Sequence, residues 1–215
     1  MLDHNICEHC NLLLPLNRGG CPNCRQPLVL EVKGTIAIWR LGEIRDGVLG
    51  PLAAGLRAAF KADAVIQPGF LDENPSKRPS WKGISAGVFL DQIRRRHKRG
   101  SFVTLGITES NIVPDGQHNF LFGYAYLDLP AAVVSIHALA ADDPSEALLA
   151  SRLLNIAVHE IGHTLGLDHH EYDDGIDCVM IGDDEVDCLE MVDEGSARFC
   201  RQCRAVVSRK RRGGR

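Results

Sequence analysis

The sequence predicts an α/β fold with a mixed β-sheet and a long buried helix, preceded by a small cysteine-rich unit. Segments rich in Val and Ile alternate with helical patterns along most of the chain, which is typical of α/β proteins. The helical pattern after Asp143 is apolar on nearly every side, and two CxxC pairs are crowded into the first 29 residues. A chain of 215 residues has room for one substantial domain and a small appendage.

The first half of the predicted fold begins at residue 28. Residues 28–41 alternate between apolar and polar types and predict a strand or two. Residues 47–62 predict a helix after Pro51, and 63–67 predict a second strand. Residues 68–83 are rich in proline and charge, so we expect a long loop that borders a cleft.

The next segments continue the alternation of helix and strand. Residues 84–99 predict an amphipathic helix whose basic end compensates the helix dipole. Residues 101–108 predict a strand, and 110–119 a loop. Residues 120–130 and 131–139 predict two further strands joined by a short turn.

The last long helix carries its own start signal. Asp143 is placed to cap it, Pro144 to occupy the first helical position and Glu146 the third. We expect it to continue to about Leu165. Because apolar residues surround it, the helix is predicted to be buried, and the polar side chains that it carries need partners.

That helix ends in the sequence HEIGHTLGLDHH, which predicts a catalytic zinc site. His159 and His163 are four residues apart and share one helix face. Glu160 lies about 100° round the helix, where it can approach a metal-bound water without becoming a ligand. Gly166 can adopt a positive φ, so the helix ends and His169 can reach the same metal.

Residues 1–29 predict a separate zinc-ribbon-like unit. Two CxxC pairs ten residues apart can close a tetrahedral four-cysteine zinc site, formed by Cys7, Cys10, Cys21 and Cys24. The segment is too short to hold a core, so zinc would supply most of its folding energy. It is either a structural unit or a module that docks another protein; only two arginines lie within it, which argues against nucleic acid.

Charge and the amino-terminal sequence indicate in which cellular compartment the chain lies and which partners it has. The start lacks a basic segment followed by an apolar run, and the apolar run at 12–16 is too short to span a bilayer. We therefore expect a cytoplasmic chain with reduced thiols and no membrane partner. Residues 168–194 hold twelve acidic side chains and no Lys or Arg. This run either favours basic substrates or is a solvated loop, and the basic residues 206–215 predict a disordered tail.

The residues now point to a family. HEIGHTLGLDH, the later sequence CVM around Met180 and the sequence FCRQC at 199–203 together resemble the archaemetzincins, a branch of the metzincin metallopeptidases. The upstream sequences LGITESNI, NFLFGYAYL and AVVSIHAL extend the resemblance across roughly residues 31–204. It implies a metzincin-like catalytic domain at 30–205, between the zinc ribbon at 1–29 and the tail at 206–215.

The resemblance also implies roles for particular residues. His159, His163 and His169 would hold the catalytic zinc, with Glu160 as general base and Met180 packed beneath the site. A second, structural zinc would be held by Cys178, Cys200, Cys203 and a fourth cysteine directly after the last histidine of the motif, where this chain has His170. Histidine is a competent zinc ligand, so His170 is the first candidate for the fourth ligand and Cys188 is its rival.

These roles predict a zinc metallopeptidase with three zinc ions. Zinc-activated water would attack the peptide bond while Glu160 takes its proton, in an endopeptidase or an aminopeptidase-like reaction. Peptides or proteins would be the substrates. The alternative is a zinc-organised protein that binds protein or nucleic acid on the same scaffold, although such a protein would have no need of Glu160.

Overall fold

The computed structural model describes residues 30–72, 83–114, 120–171, 176–182 and 188–213, together with two short strands near the amino terminus. Those strands, β1 (Asn5–Ile6) and β2 (Leu13–Leu14), pair antiparallel. The four cysteines of the predicted zinc ribbon lie outside the described residues. That zinc ribbon, and the domain boundary at residue 29, therefore stay predictions.

A five-stranded mixed sheet forms the centre of the fold. Its order is β4-β3-β6-β9-β8; the first four strands are parallel, and β8 is antiparallel at the edge. A small parallel pair, β5 with β7, lies outside it. The strand bounds are β3 Thr35–Leu41, β4 Asp63–Leu71, β5 Ile84–Ser85, β6 Ser101–Thr108, β7 Ile112–Val113, β8 Gly123–Ala125 and β9 Ala131–Ser135.

Helices cover both faces of this sheet, so the domain has three layers. Strand β9 shows the division, since Ala132 and Val134 belong to one hydrophobic core and Ala131 and Val133 to the other. The first core contains residues of α1 and α4, and the second contains residues of α2. The helix bounds are α1 Leu49–Phe60, α2 Ala86–Arg95, α3 Ile136–Leu139, α4 Glu146–Thr164, α5 Leu189–Glu194 and α6 Arg201–Gly213. The predicted α/β fold with a mixed sheet is confirmed. The disordered tail predicted at 206–215 was wrong for most of its length, because α6 continues to Gly213 and Val207 packs in the first core.

Several predicted strand boundaries were wrong. Residues 120–130 form only the three-residue strand β8, and the predicted loop 110–119 contains β7. Strand β4 continues through Pro68 to Leu71 instead of ending at residue 67. Proline is tolerated there because β4 is an edge strand, and the register shift opposite Ile38 and Arg40 marks a bulge in the pairing. Residues 136–139 form the short helix α3 rather than the end of a strand, because the Ser135 hydroxyl accepts a hydrogen bond from the His137 amide at 3.2 Å and starts a helical turn.

The start of α4 also differs from the prediction. Asp143 has φ +53° and does not cap the helix. Ser145 is the cap, because its hydroxyl accepts a hydrogen bond from the Leu148 amide at 3.3 Å, and Glu146 is the first helical residue. The helix is less completely buried than predicted, since His159 and His163 are half-buried whereas Glu160 is only 6% exposed.

No helix within the described part of the chain has both the length and the apolar character needed to cross a membrane.

Candidate metal centre and cleft

The end of α4 is built to return the chain toward its own last turn. Gly166 has φ +73°, and its amide donates to the carbonyl oxygen of His163 at 2.8 Å. The Leu167 amide donates to the carbonyl oxygen of Gly162 at 3.1 Å. This pair of hydrogen bonds is a Schellman motif, in which glycine adopts the left-handed conformation at low cost. The helix therefore ends where the sequence predicted, and His169 lies beside the last helical turn.

Three histidine side chains converge at this place. The Nε2 atoms of His159, His163 and His169 are 3.0–3.1 Å apart in every pair. Nitrogens about 2.0–2.1 Å from a zinc ion in a tetrahedral site lie about 3.3 Å apart, close to the observed spacing. The structure thus brings together the three histidines that the motif predicted as zinc ligands.

Backbone carbonyls orient two of these rings. His159 Nδ1 lies 2.7 Å from the Val179 carbonyl oxygen, and His163 Nδ1 lies 2.8 Å from that of Leu167. A carbonyl oxygen can only accept, so each Nδ1 carries the proton and each Nε2 presents a lone pair. Two lone pairs that face each other cannot form a hydrogen bond, whereas a cation satisfies both. The donor set therefore fits a zinc ion, with its rings held from behind.

The protonation state of His159 agrees with this fit. Its burial, together with repulsion from His163, lowers the pKa of His159 to about 3. The ring is therefore neutral at physiological pH, as a metal ligand must be.

Glu160 faces the same space from the buried side of α4. A Cβ atom added at Gly123 of β8 would lie 2.6 Å from its Oε1 atom, so the edge strand passes directly against the carboxylate. The candidate ligand atoms of the three histidines lie within 4.8 Å of one another, and the Glu160 carboxylate is not part of that group. The carboxylate thus lies near the metal-binding group without belonging to it. Gly123 was not predicted from the sequence, because its importance comes from contact with a residue 37 positions away.

A second cluster of donor atoms lies next to the first in sequence. His170 Nε2 is 3.1 Å from Cys203 Sγ and 3.3 Å from Cys200 Sγ, and Cys178 Sγ is 3.7 Å from Cys203 Sγ. Sulfurs bound to zinc at about 2.3 Å in a tetrahedron lie about 3.8 Å apart, so the spacing suits zinc. Within the described residues Cys188 is not a member of this cluster.

The thiols of this cluster cannot all ionise without a cation. Hydrogen bonds from Cys178 and Cys203 lower the pKa of Cys200, whereas donating to Cys200 raises the pKa of Cys178 to about 11. The pKa of Cys203 is raised as well, by its hydrogen bonds with both neighbours. Backbone amides of Cys200 and Met180 also lie 3.2 and 3.5 Å from Cys178 Sγ. These two amides stabilise negative charge on the Cys178 sulfur, and a bound cation would stabilise the remaining thiolates, which fits zinc binding.

One segment, 178–182, joins the two clusters. Cys178 lies in the cysteine cluster, and the carbonyl oxygen of the next residue, Val179, holds the His159 ring. The carbonyl oxygen of Met180 accepts from the His170 amide at 2.8 Å. The position of the His159 ring therefore depends on a segment that also belongs to the cysteine cluster.

Met180 packs beneath this arrangement through a contact that the motif did not reveal. It is fully buried, and a Cβ atom added at Gly162 of α4 would overlap its Sδ atom and lie 3.0 Å from Phe199 Cε1. The sequence did hold a signal, since glycine in a helix interior costs about 1 kcal/mol relative to alanine and needs a packing reason. Gly162 is thus the residue that lets Met180 approach the helix.

Substituting Gly162 with alanine is expected to lower the free energy of unfolding by about 1–3 kcal/mol, because overpacking outweighs the better helix propensity. Chemical denaturation of the zinc-loaded chain measures the change. Gly50→Ala is the matched control, because Gly50 is also helical and an added Cβ there meets nothing within 4 Å. If both variants are equally stable, the contact with Met180 does not constrain Gly162.

A cavity of about 410 Å³ opens beside the histidines. His159, His169 and Glu160 line it, and residues of α5 with Gly195 form another part of its wall. Cys188, the rival zinc ligand, lines this cavity and not the cysteine cluster.

Two polar residues of α4 hold the α5 wall in place, and sequence reasoning identified neither of them. The Asn155 amide donates to the carbonyl oxygens of Val192 at 2.9 Å and Gly195 at 3.2 Å. Arg152, 2% exposed, donates to both carboxylate oxygens of Asp193 at 2.7 and 2.8 Å, and also binds Asp142. These hydrogen bonds hold the Asp142 and Asp193 carboxyls to the guanidinium, lower their pKa values and raise that of Arg152. An arginine and an asparagine within an apolar helix were the available signal.

An α/β domain that brings three histidines together beside a cavity lined by a buried glutamate defines a candidate metal-dependent hydrolase. Comparisons with known proteins give the family. Residues 87–209 match the profile of peptidase family M54. Archaemetzincin from Thermococcus kodakarensis is 36% identical over 159 residues, which cover 72% of this chain and 82% of the relative. Archaemetzincin from Archaeoglobus fulgidus is 39% identical over 105 residues, or 49% of this chain and 59% of the relative.

Solved structures agree with these sequence matches. The crystal structure of A. fulgidus archaemetzincin, complexed with malonate, superimposes with a TM-score of 0.65 at 29% identity and covers 80% of this chain and 99% of its own. The structure of Methanopyrus kandleri archaemetzincin has a TM-score of 0.66 at 24% identity and shows the shared fold. The chain therefore belongs to peptidase family M54, the archaemetzincins, a family of zinc metallopeptidases. The family predicted from the motif residues is confirmed.

Proposed function

We propose that this chain is a zinc-dependent peptidase whose reaction takes place at His159, His163 and His169. The observation that supports it most strongly is the triangle of Nε2 atoms 3.0–3.1 Å apart, with two of the rings oriented by backbone carbonyls. These residues would hold the metal. When bound, zinc supplies Lewis acidity, which polarises a carbonyl oxygen and lowers the pKa of water.

Glu160 is the general base in this proposal. Its side chain is buried and lines the same cavity as His159 and His169, so it faces the place where a substrate would lie. The carboxylate takes a proton from the attacking water and passes it to the departing amine. Gly123 has no side chain and therefore leaves space for this carboxylate. Burial also keeps bulk water away from the proton in transit.

A second zinc ion would be structural, held by His170, Cys178, Cys200 and Cys203. Four protein ligands leave no open position, which is typical of zinc that supports a fold. The spacing of these donors supports the proposal, and the place of Cys188 in the neighbouring cavity argues against that residue as the fourth ligand.

The remaining parts of the proposal concern the two ends of the chain. A third zinc ion would be bound by Cys7, Cys10, Cys21 and Cys24, in a module at 1–29 that would dock another protein. We further propose a reducing, cytoplasmic setting, because the thiol-rich clusters need reduced cysteines. The catalytic domain would begin at residue 30 and extend into helix α6.

Removal of zinc is expected to abolish peptide hydrolysis, and addition of zinc to restore it. Hydrolysis of a fluorescence-quenched peptide library is measured before and after treatment with a chelator, with bound zinc determined by elemental analysis. Comparing free with N-acetylated peptides separates the proposed aminopeptidase-like cleavage, which needs a free amine, from endopeptidase cleavage. Hydrolysis that persists in the zinc-free chain would refute the proposed function.

A further inference from the structure

We propose that the cavity beside the histidines binds a lysine or arginine side chain of the substrate, at a residue next to the cleaved bond. This inference rests on the proposed peptidase function and names its substrate class. It is carried by three properties of the cavity: apolar walls, a carboxylate rim and a wall held in place by buried hydrogen bonds.

The walls suit a long aliphatic stem. The cavity has a volume of about 410 Å³ and is open to solvent at one side, which leaves room for an extended side chain. Its apolar lining includes Phe122, Ile156, Ile176, Ile181, Met191 and Val192. A lysine or arginine side chain buries its methylene groups against such walls and keeps its charged end near water.

Carboxylates lie where that charged end would emerge. Asp177 and Glu194 both line the cavity and are both exposed, so they form its rim and not its floor. The Ser196 hydroxyl donates to Asp177 Oδ1 at 2.7 Å and so restricts the side chain. Among the described residues that line the cavity, none is a lysine or an arginine. The rim therefore attracts a cationic side chain and repels an acidic one.

The wall that carries Glu194 is held in position before any substrate binds. Asn155 binds the carbonyl oxygens of Val192 and Gly195 on either side of Glu194, and Arg152 binds Asp193 next to it. Asp193 is thereby paired with Arg152. Its neighbour Glu194 faces the cavity instead. A preorganised wall reduces the entropy lost on binding, so the charge of the rim can act on specificity.

The test uses the zinc-loaded chain and peptides that differ at one residue beside the cleaved bond. Mass spectrometry of a peptide library first locates that bond. Lysine, arginine, leucine, glutamate and Nε-acetyllysine are then compared by kcat/KM. Acetyllysine keeps the stem and removes the charge. We expect kcat/KM for the lysine and arginine peptides to exceed that for the acetyllysine peptide by about twofold to fivefold for each rim carboxylate. The glutamate peptide should have the lowest kcat/KM. Raising the salt concentration should reduce the preference.

Variants assign the preference to the rim. Asp177→Asn with Glu194→Gln is expected to lower the lysine-to-leucine ratio of kcat/KM. Glu190→Gln is the matched control, because Glu190 lies on the same helix as Glu194, is also exposed and does not line the cavity. Affinities for uncleaved lysine and acetyllysine peptides, measured by fluorescence anisotropy on the Glu160→Gln variant, give a second readout that does not depend on hydrolysis.

The outcomes separate this inference from the proposed function. If peptides are cleaved with equal kcat/KM for lysine and acetyllysine, the inference is wrong and the peptidase stands. If no peptide is cleaved but lysine peptides bind more tightly and the rim variants remove the difference, the cavity assignment stands without the reaction. A preference that follows the free amino terminus, or that the Glu190 control changes as much as the rim variants, overturns the inference.

Discussion

Substitution of Glu160 with glutamine is expected to abolish peptide hydrolysis while the chain keeps its full zinc content. Glutamine fills the same buried space beside Gly123 but cannot take up a proton, so the loss in kcat should be on the order of 10²–10⁴-fold or more. Zinc should stay bound because the Glu160 carboxylate does not belong to the histidine group, whose ligand atoms lie within 4.8 Å of one another. Single-turnover peptide hydrolysis and elemental analysis of the same preparation measure both quantities.

Glu146→Gln serves as the control for Glu160→Gln. Glu146 begins the same helix, is exposed and lies far from the histidines in sequence, so the charge change is the same without the proposed role. The control should retain wild-type hydrolysis. Full activity in the Glu160 variant would refute the general-base role, and loss of zinc in that variant would make Glu160 part of the metal site.

Substitution of His170 with alanine is expected to remove one zinc ion per chain relative to the wild type and to destabilise the domain strongly. Structural zinc supplies roughly 10–16 kcal/mol of folding free energy in small zinc domains, and a cluster with three ligands would retain only part of the corresponding contribution. Hydrolysis should fall as well, because the His170 side chain belongs to the cluster that contains Cys178, and the carbonyl oxygen of the next residue, Val179, holds the His159 ring. Zinc content, chemical denaturation and peptide hydrolysis measure the three effects.

Two further variants distinguish the candidates for the fourth ligand. His170→Cys should restore the zinc ion, because a thiolate at that position can serve as the ligand. Cys188→Ser should retain the wild-type zinc content, because Cys188 lines the cavity and lies outside the cysteine cluster. The reverse result, zinc lost from Cys188→Ser and kept in His170→Ala, would make Cys188 the ligand.

The alternation of elements was predictable because each strand and helix has its own local signal. Strand β6 occupies the predicted residues 101–108, and the helices α1 and α4 lie within their predicted segments. The boundaries that were wrong depended on position in the sheet or on a competing cap. Pro68 predicts a loop from sequence alone, and only the sheet order shows that β4 is an edge strand that tolerates it. Asp143 predicts a helix cap, but in the structure Ser145 is the cap.

The histidine group was predictable for a similar reason. Helix geometry relates His159 to His163, and Gly166 sets the turn to His169, so eleven residues of sequence contain the whole arrangement. The contacts of Gly123 with Glu160 and of Gly162 with Met180 were not predictable. Each is a close approach between segments that the chain brings together only when the sheet and helices pack.

By itself, the sequence determined the chemistry of the donors: imidazoles at helical spacing, a carboxylate beside them, and cysteines for a second cluster. Tertiary structure decided which donors meet. It placed His170 with the three cysteines and Cys188 in the cavity, and it set two carboxylates at the rim of that cavity. The physical reason is the separation along the sequence over which each effect acts. Spacing along a helix is dictated by backbone geometry within a few residues, whereas the meeting of Cys178, Cys200 and His170 depends on how separate segments pack over a shared core.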